Sequence, residues 1–183
     1  MRTISEEHYE QLFATCEILP DWNNGLSEAV ALILEGRQRY EGVVEGATIP
    51  WVFPALLHHM EASCSFERSI RDGSLWRDKQ HLSWEDDARM ALFMKLPSAL
   101  FEQVWTLGFL LKRYEMWNGL GYARKGIESP YLWSGSNHGV GLGKYTQDGF
   151  YDAQAVSKQY GAAVILKALV DHGVWTPEKG ETE

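Results

Sequence analysis

The run Trp51-Val52-Phe53-Pro54-Ala55-Leu56-Leu57 limits most strongly what this chain can fold into, because seven consecutive apolar residues belong inside a core. Pro50 stands where a helix tolerates it best, near the start, and Pro54 falls within about the first turn, where a missing N–H matters little. The run therefore predicts a buried helix. That helix carries the chain through His58, His59 and Met60 to Glu61, a lone carboxylate placed where the chain leaves the core. A carboxyl group half withdrawn from water has its charged form disfavoured and its pKa raised, which suits a general acid. A solvated helix-end glutamate is the ordinary alternative, and what surrounds Glu61 decides between them.

Helical spacing recurs along the chain. Tyr9, Leu12, Phe13 and Cys16 predict a first helix over 5–19, ended by Pro20. Val30, Ile33, Leu34 and Tyr40 predict a second over 27–45 with Ser27 as its cap, although Gly36 and Gly42 weaken it. Ser83 caps another, with Glu85, Asp86 and Asp87 in its first turn and Trp84, Ala88, Ala91, Leu92 and Lys95 on one face. A fifth helix is expected from Pro97-Ser98 to Met116, and a last one over 152–171 with Ala155, Val156, Tyr160, Ala163, Val164 and Leu169 inside and Gly173 as its stop. Two irregular stretches separate these, 65–82 and 117–150; the second is rich in glycine and able to hold a small hairpin. The expectation is one mainly α domain over 1–183, its two long loops facing each other across the end of the third helix to form a cleft.

Composition narrows the function. A formal charge of −8 argues against a nucleic-acid surface, which needs clustered Lys and Arg. No stretch approaches the length of a membrane span, and the N-terminus has no apolar run behind a basic start, so no secretory signal is expected. The two cysteines, Cys16 and Cys64, are read as buried thiols without metal spacing. Adjacent His58 and His59 point about 100° apart on a helix and suit packing rather than a metal, and no cofactor is expected. The eight Trp, eight Tyr and seven Phe stand out, because several lie in glycine-rich loop sequence where flat faces beside polar groups suit a sugar ring.

The stretch Glu115-Met116-Trp117-Asn118-Gly119-Leu120-Gly121-Tyr122 continues to Ser129-Pro130-Tyr131-Leu132-Trp133-Ser134 and Gly143-Lys144-Tyr145. Glycine allows close backbone approach, Asn and Ser supply directional hydrogen bonds, and Tyr and Trp supply stacking faces. On those residues the chain is similar to a known family. Glu61-Ala62-Ser63-Cys64-Ser65-Phe66 resembles the catalytic Glu-Ser-x-x-x-Phe motif of lysozyme-like muramidases and lytic transglycosylases, and Trp117 to Tyr122 resembles their Tyr-Asn-Ala/Gly-Gly segment. Bacterial and phage "lysozyme family" proteins carry His-x-x-Glu-Ser, Tyr-Asn-Gly-x-Gly-Tyr, Ser-Pro-Tyr-Leu-Trp-Ser and Gly-Lys-Tyr in this order. The resemblance covers roughly residues 37–168. Ala62 stands where the family has Ser, Trp117 where it has Tyr, and the segment expected to hold a glycine-rich hairpin, 65–82, has only Gly73.

The resemblance implies a lysozyme-like fold and a glycosidase acting on peptidoglycan. Glu61 would protonate the leaving oxygen. Asp72 is the first candidate for a second carboxylate, followed by Asp78 and by Asp86, which is better placed to cap its own helix. Two carboxyls about 5 Å apart support a covalent retaining route, and about 6.5 to 9.5 Å leaves room for an activated water; with neither, Glu61 acts alone and the sugar's own hydroxyl is the nucleophile. Asn118, Tyr122, Tyr131, Trp133 and Tyr145 are the expected cleft residues. A catalytically idle peptidoglycan-binding module, and a chitinase or chitosanase on the same scaffold, are the alternatives. Synthesis in the cytoplasm and action on the cell wall after release, in the manner of an endolysin, is the expected setting.

Overall fold

The structure, a computed structural model, describes residues 5–75, 82–147 and 149–178. Helix α4, Val52–Ala62, is the apolar run anticipated above, and every residue from Val52 to His58 is buried. Around it pack α2 (Asn23–Glu35), α3 (Arg37–Val43), α6 (Leu107–Asn118) and α9 (Ala162–Asp171). Helix α9 is more apolar than α4, with Ala162 to Leu166 all buried, so two largely buried helices face each other across one core. Helix α1 (Glu6–Ala14) lies along α6, and α5 (Trp84–Lys95) closes over α3.

Local chemistry sets the ends of these helices. The Ser5 hydroxyl accepts from the His8 N–H to start α1, with Glu6 and Glu7 in the first turn. Ser83 and Asp86 form a reciprocal capping box on α5. Thr106 caps α6 by accepting from the Phe109 N–H.

Several boundaries differ from the periodicity. The first helix stops at Ala14; Ile18 instead bridges Ser136, and Pro20 opens a short 3-10 turn. The second is two helices, α2 beginning at Asn23 so that Ser27 lies inside it, and α3 restarting after Gly36. Gly36 is where a side chain would collide with Tyr40 and Phe66, so the aromatic packing beneath this junction requires glycine there. The fifth helix starts only after Thr106, because Ser98–Phe101 forms a separate 3-10 turn and Val104 is exposed. The last begins at Ala162; Ala155, Val156 and Tyr160 precede it on an irregular segment. There the Tyr160 hydroxyl donates to the Trp22 carbonyl, a tertiary anchor that periodicity cannot report.

The stretch 117–150 is less irregular than expected. It holds α7 (Gly121–Lys125), α8 (Pro130–Trp133) and strand β1 (Lys144–Gln147), which pairs antiparallel with β2 (Phe150–Asp152) through a bulge between Tyr145 and Gln147. The mainly α fold with one small hairpin is therefore as anticipated.

Helices α1 and α6 approach so closely at Gly108 that a Cβ there would lie 2.5 Å from the Glu6 carbonyl oxygen. Gly→Ala within a helix ordinarily stabilises by roughly 0.5–1 kcal/mol, so the sign of the effect tests the contact. Gly108→Ala is expected to destabilise by about 1–3 kcal/mol, read as a melting temperature lowered by several degrees; a raised melting temperature contradicts the close approach.

Candidate active site

Glu61 sits one residue before the end of α4, and the backbone turns abruptly after it. Ser63 and Cys64 both adopt left-handed conformations, with φ of 50° and 60°, at a cost of about 1 kcal/mol or more each for residues that carry a Cβ. The turn is held by hydrogen bonds from the Ser63 N–H to the His59 carbonyl and from the Cys64 N–H to the His58 carbonyl. His58 braces it from inside. Its Nε2 lies 2.9 Å from the Ser65 carbonyl oxygen, which can only accept, so Nε2 carries the proton; Nδ1 then accepts from the Tyr40 hydroxyl at 2.9 Å. Burial pushes the His58 pKa down to about 4, and the ring stays neutral. Phe66, the last residue of the motif, packs against His58 and Trp84. His58 thus packs and hydrogen-bonds inside the turn, while His59 Nδ1 lies 3.8 Å from the Cys64 sulfur.

The chain then folds back onto the helix it has left. Arg68 bridges Leu75, the Ser69 N–H donates to the Ser74 carbonyl, and the turn between them carries Asp72 and Gly73. Gly73 has a φ of 70°, and a Cβ on it would lie 2.3 Å from the Glu61 carbonyl oxygen, so only glycine fits. This contact fixes Asp72 beside the end of α4. Asp72 is exposed and accepts from both the N–H and the hydroxyl of Ser74; these bonds, with Arg71 beside it, hold its carboxyl below the usual range. Asp86 is occupied in its capping box, and Asp78 lies outside the described residues.

The second irregular segment supplies the facing wall. Ser129 accepts from the Tyr131 N–H and starts α8, which aims the Tyr131 hydroxyl at Glu61 Oε1, 3.1 Å away. Burial raises the Glu61 pKa; Tyr131 donates to the ionised form and opposes this, as does the charge of Lys95, while the Asp72 charge adds to the rise. The net direction is upward. Glu61 and Asp72 are thus pushed apart, one toward its protonated form and the other toward its carboxylate, the pattern by which acid and base roles separate.

Asn118, Tyr122 and Tyr145 come together in a pocket of about 470 Å³ with Gly119, Gly121, Thr146, Gln147 and Gly149. The Tyr122 hydroxyl accepts from the Tyr145 N–H, and the Tyr145 hydroxyl donates to the Gly121 carbonyl, so the hairpin is pinned to the start of α7 by the rings that line the pocket. Trp133 is a correction. It is wholly buried, packed edge-on to His138 with Gly139 against its backbone, because α8 is short and turns this residue inward while Tyr131 points to Glu61.

Lys95 is the residue that sequence reasoning passed over. Its ammonium stacks 4.1 Å from the Trp117 ring centroid, and burial lowers its pKa against the opposing pull of Glu61 and Asp72. The signal was a lysine on the apolar face of α5. Among the described residues no group of three or more His, Cys, Asp or Glu is placed to hold a metal ion, and no helix is long and apolar enough to cross a membrane. Both cysteines are free and buried, and burial pushes the Cys64 thiol up to about 11.

Comparison of the chain with protein-family models, curated proteins and solved structures returned no match.

A carboxyl whose pKa is raised by folding holds its proton more tightly in the native state. The stability it contributes is whole below the ordinary value of 4.5 and is lost as pH rises through the raised value. Glu61→Gln removes that loss, so the melting temperature of the variant relative to the parent is expected to climb between pH 4 and pH 8. A flat difference means that folding leaves the Glu61 carboxyl unshifted and a falling one that folding lowers its pKa; either contradicts the partly dry site. Tyr131→Phe removes a donor to the ionised form and is expected to move the Glu61 titration further upward, followed by carbon NMR of its carboxyl; an unchanged titration contradicts the hydrogen bond.

Proposed function

We propose that this chain is a lysozyme-like glycosidase, a muramidase or lytic transglycosylase, that cleaves peptidoglycan. The observation that carries the reading is the pairing of Glu61, half-buried with a raised pKa, with the ionised Asp72, at the junction of two irregular segments. The motif resemblance around Glu61 and Trp117 points the same way, as does the aromatic, glycine-lined pocket of Asn118, Tyr122 and Tyr145.

In this reading protonated Glu61 gives its proton to the glycosidic oxygen as the bond to the sugar carbon breaks. The Tyr131 hydroxyl, already within hydrogen-bonding distance, stabilises the glutamate anion left behind. Asp72, held ionised by Ser74, opposes the positive charge developing on the ring. Glu61 then takes a proton from the incoming nucleophile, which is water in hydrolysis or the sugar's own hydroxyl in transglycosylation. No cofactor enters these steps.

Glu61→Gln is expected to cut the release of soluble fragments from purified cell walls by about 10²-fold or more, without lowering the melting temperature at neutral pH. Mass spectrometry of the fragments identifies the nucleophile, because a reducing end and an anhydro end differ by one water. Undiminished release by Glu61→Gln, or wall binding by the parent with no release, overturns the proposal.

A further inference from the structure

A second cavity, of about 340 Å³, opens at the base of the hairpin, lined by the run 139–143 that enters β1 and the run 153–157 that leaves β2. Gly143 joins the two runs at their root. A Cβ on it would lie 2.7 Å from both the Ala153 Cα and the Asp152 carbonyl oxygen, and beside it the Tyr151 hydroxyl donates to the Leu142 carbonyl. Trp22 completes the lining with Leu19 and Pro130. Its ring lies so near Gly135, at a φ of 93°, that a Cβ there would meet it at 2.9 Å, and its carbonyl accepts from the Tyr160 hydroxyl. The cavity is therefore preformed.

None of the described residues that line it carries a charged side chain, although the chain has a net charge of −8. An ion seated there would lose water without gaining a counter-charge, so the lining selects a neutral occupant. Val140 and Val156 are 66% and 72% exposed, and with Leu142 they offer apolar surface for a ligand to cover. The lining glycines, Gly135, Gly139, Gly141 and Gly143, have only main chain to present. Both lining serine hydroxyls are engaged: Ser134 donates to the Ser157 carbonyl, while Ser157 donates to the Gln159 carbonyl and accepts from its N–H. Hydrogen bonding to a ligand is thus left mainly to the backbone, where among the described residues the N–H groups of Gly141, Leu142, Val156 and Ser157 have no protein acceptor.

A peptide matches such a lining, because its own N–H and C=O groups recur at the spacing of an extended main chain. A sugar instead asks for side-chain donors and acceptors around its hydroxyls. The pocket of Asn118, Tyr122 and Gln147 supplies those. The volume lies near the low end of the range for ligand pockets, about 300–1,000 Å³, which suits a short peptide with small side chains. Two ties connect the cavity to the end of α4. Pro130 precedes Tyr131, which donates to Glu61, and Gln159, two residues after Ser157, donates to the Met60 carbonyl at 2.7 Å.

We propose that the cavity between 139–143 and 153–157 binds a short, neutral, extended peptide with small side chains, and that this peptide is a substituent of the cell-wall polymer. The choice of a neutral peptide rests on the lining alone; its attachment to the polymer rests on the function proposed above.

The first test is a titration of the full-length protein followed by the backbone ¹H–¹⁵N resonances of Gly141 and Val156. The ligands are N-acetyl-trialanine amide, the same peptide with glutamate or lysine at its centre, and N,N′-diacetylchitobiose. Trialanine is expected to move both resonances, to leave the Asn118 side-chain amide in place, and to bind about tenfold more tightly than any of the other three. Preference over both charged peptides separates the lining from the net charge of the chain, which repels one sign and attracts the other. Val140→Asp and Val156→Asp alter exposed side chains, so the fold is kept, and each is expected to weaken trialanine binding about tenfold. Equal binding of a charged peptide or of the disaccharide overturns the proposal, as does undiminished binding in both valine variants. The polymer is tested in Glu61→Gln, where adding Val156→Asp is expected to weaken binding to intact cell walls and not to walls stripped of their peptides. No loss on intact walls overturns the attachment to the polymer. Because turnover is not read, a protein that selects trialanine but never cleaves cell wall contradicts the catalytic reading and not the peptide site.

Discussion

The backbone reversal at the end of α4 is the constraint on which the rest of the site depends. A helix buried along most of its length has to release its chain into water, and here it does so through two consecutive left-handed residues, Ser63 and Cys64. Such strain persists only where the surroundings over-determine it. Two features do so. His58, held between the Tyr40 hydroxyl and the Ser65 carbonyl, fixes the helix end to the segment after the turn. Gly73 lets that segment return to touch the Glu61 carbonyl. The carboxyl is left partly dry with an exposed, ionised aspartate brought back beside the same helix end.

That arrangement explains why opposite electrostatic conditions coexist so close together. Glu61 is governed by burial, because its own helix and α8 keep water from it; Asp72 is governed by hydrogen bonds, because its turn points outward and Ser74 supplies two donors. Lys95 prevents the pair from simply repelling one another. Its charge favours ionisation of Glu61, so the upward shift is the difference between burial and two opposing influences, Tyr131 and Lys95. A carboxyl poised by competing contributions responds to small changes at either wall, which is what a group that must both give and take a proton requires.

Much of this was legible from the chain and some was not, for identifiable reasons. The apolar run of 51–57, the Ser83 cap and the glutamate at the helix end follow from local chemistry, and the structure places them as expected. Contacts with distant residues at the helix limits were hidden: Phe66 packs so close to Gly36 that no side chain fits there, and the Tyr160 hydroxyl, ahead of the last helix, is held by the Trp22 carbonyl. Trp133 and Tyr131 are two residues apart in a single short turn of helix, and an aromatic in glycine-rich sequence reads the same whether it faces core or cleft; only the docking of α8 on α9 separates them. Lys95 was visible as an oddity on an apolar face but had no meaning until Trp117 was known to lie over it.

The same reasoning accounts for the tryptophan at 117. On α6, one residue before the asparagine that lines the polar pocket, this position sits between α4 and α5. Its ring meets Phe53 edge-on at 6.1 Å on one side and the Lys95 ammonium on the other. A tyrosine could also supply a face for the cation; the indole sets a larger apolar ring against Phe53. Tryptophan therefore joins a core contact to a cation contact, and it does so on the helix whose end carries Asn118. The substitution that looks like a departure within a motif is, in three dimensions, the link between the buried core and the cationic side of the site.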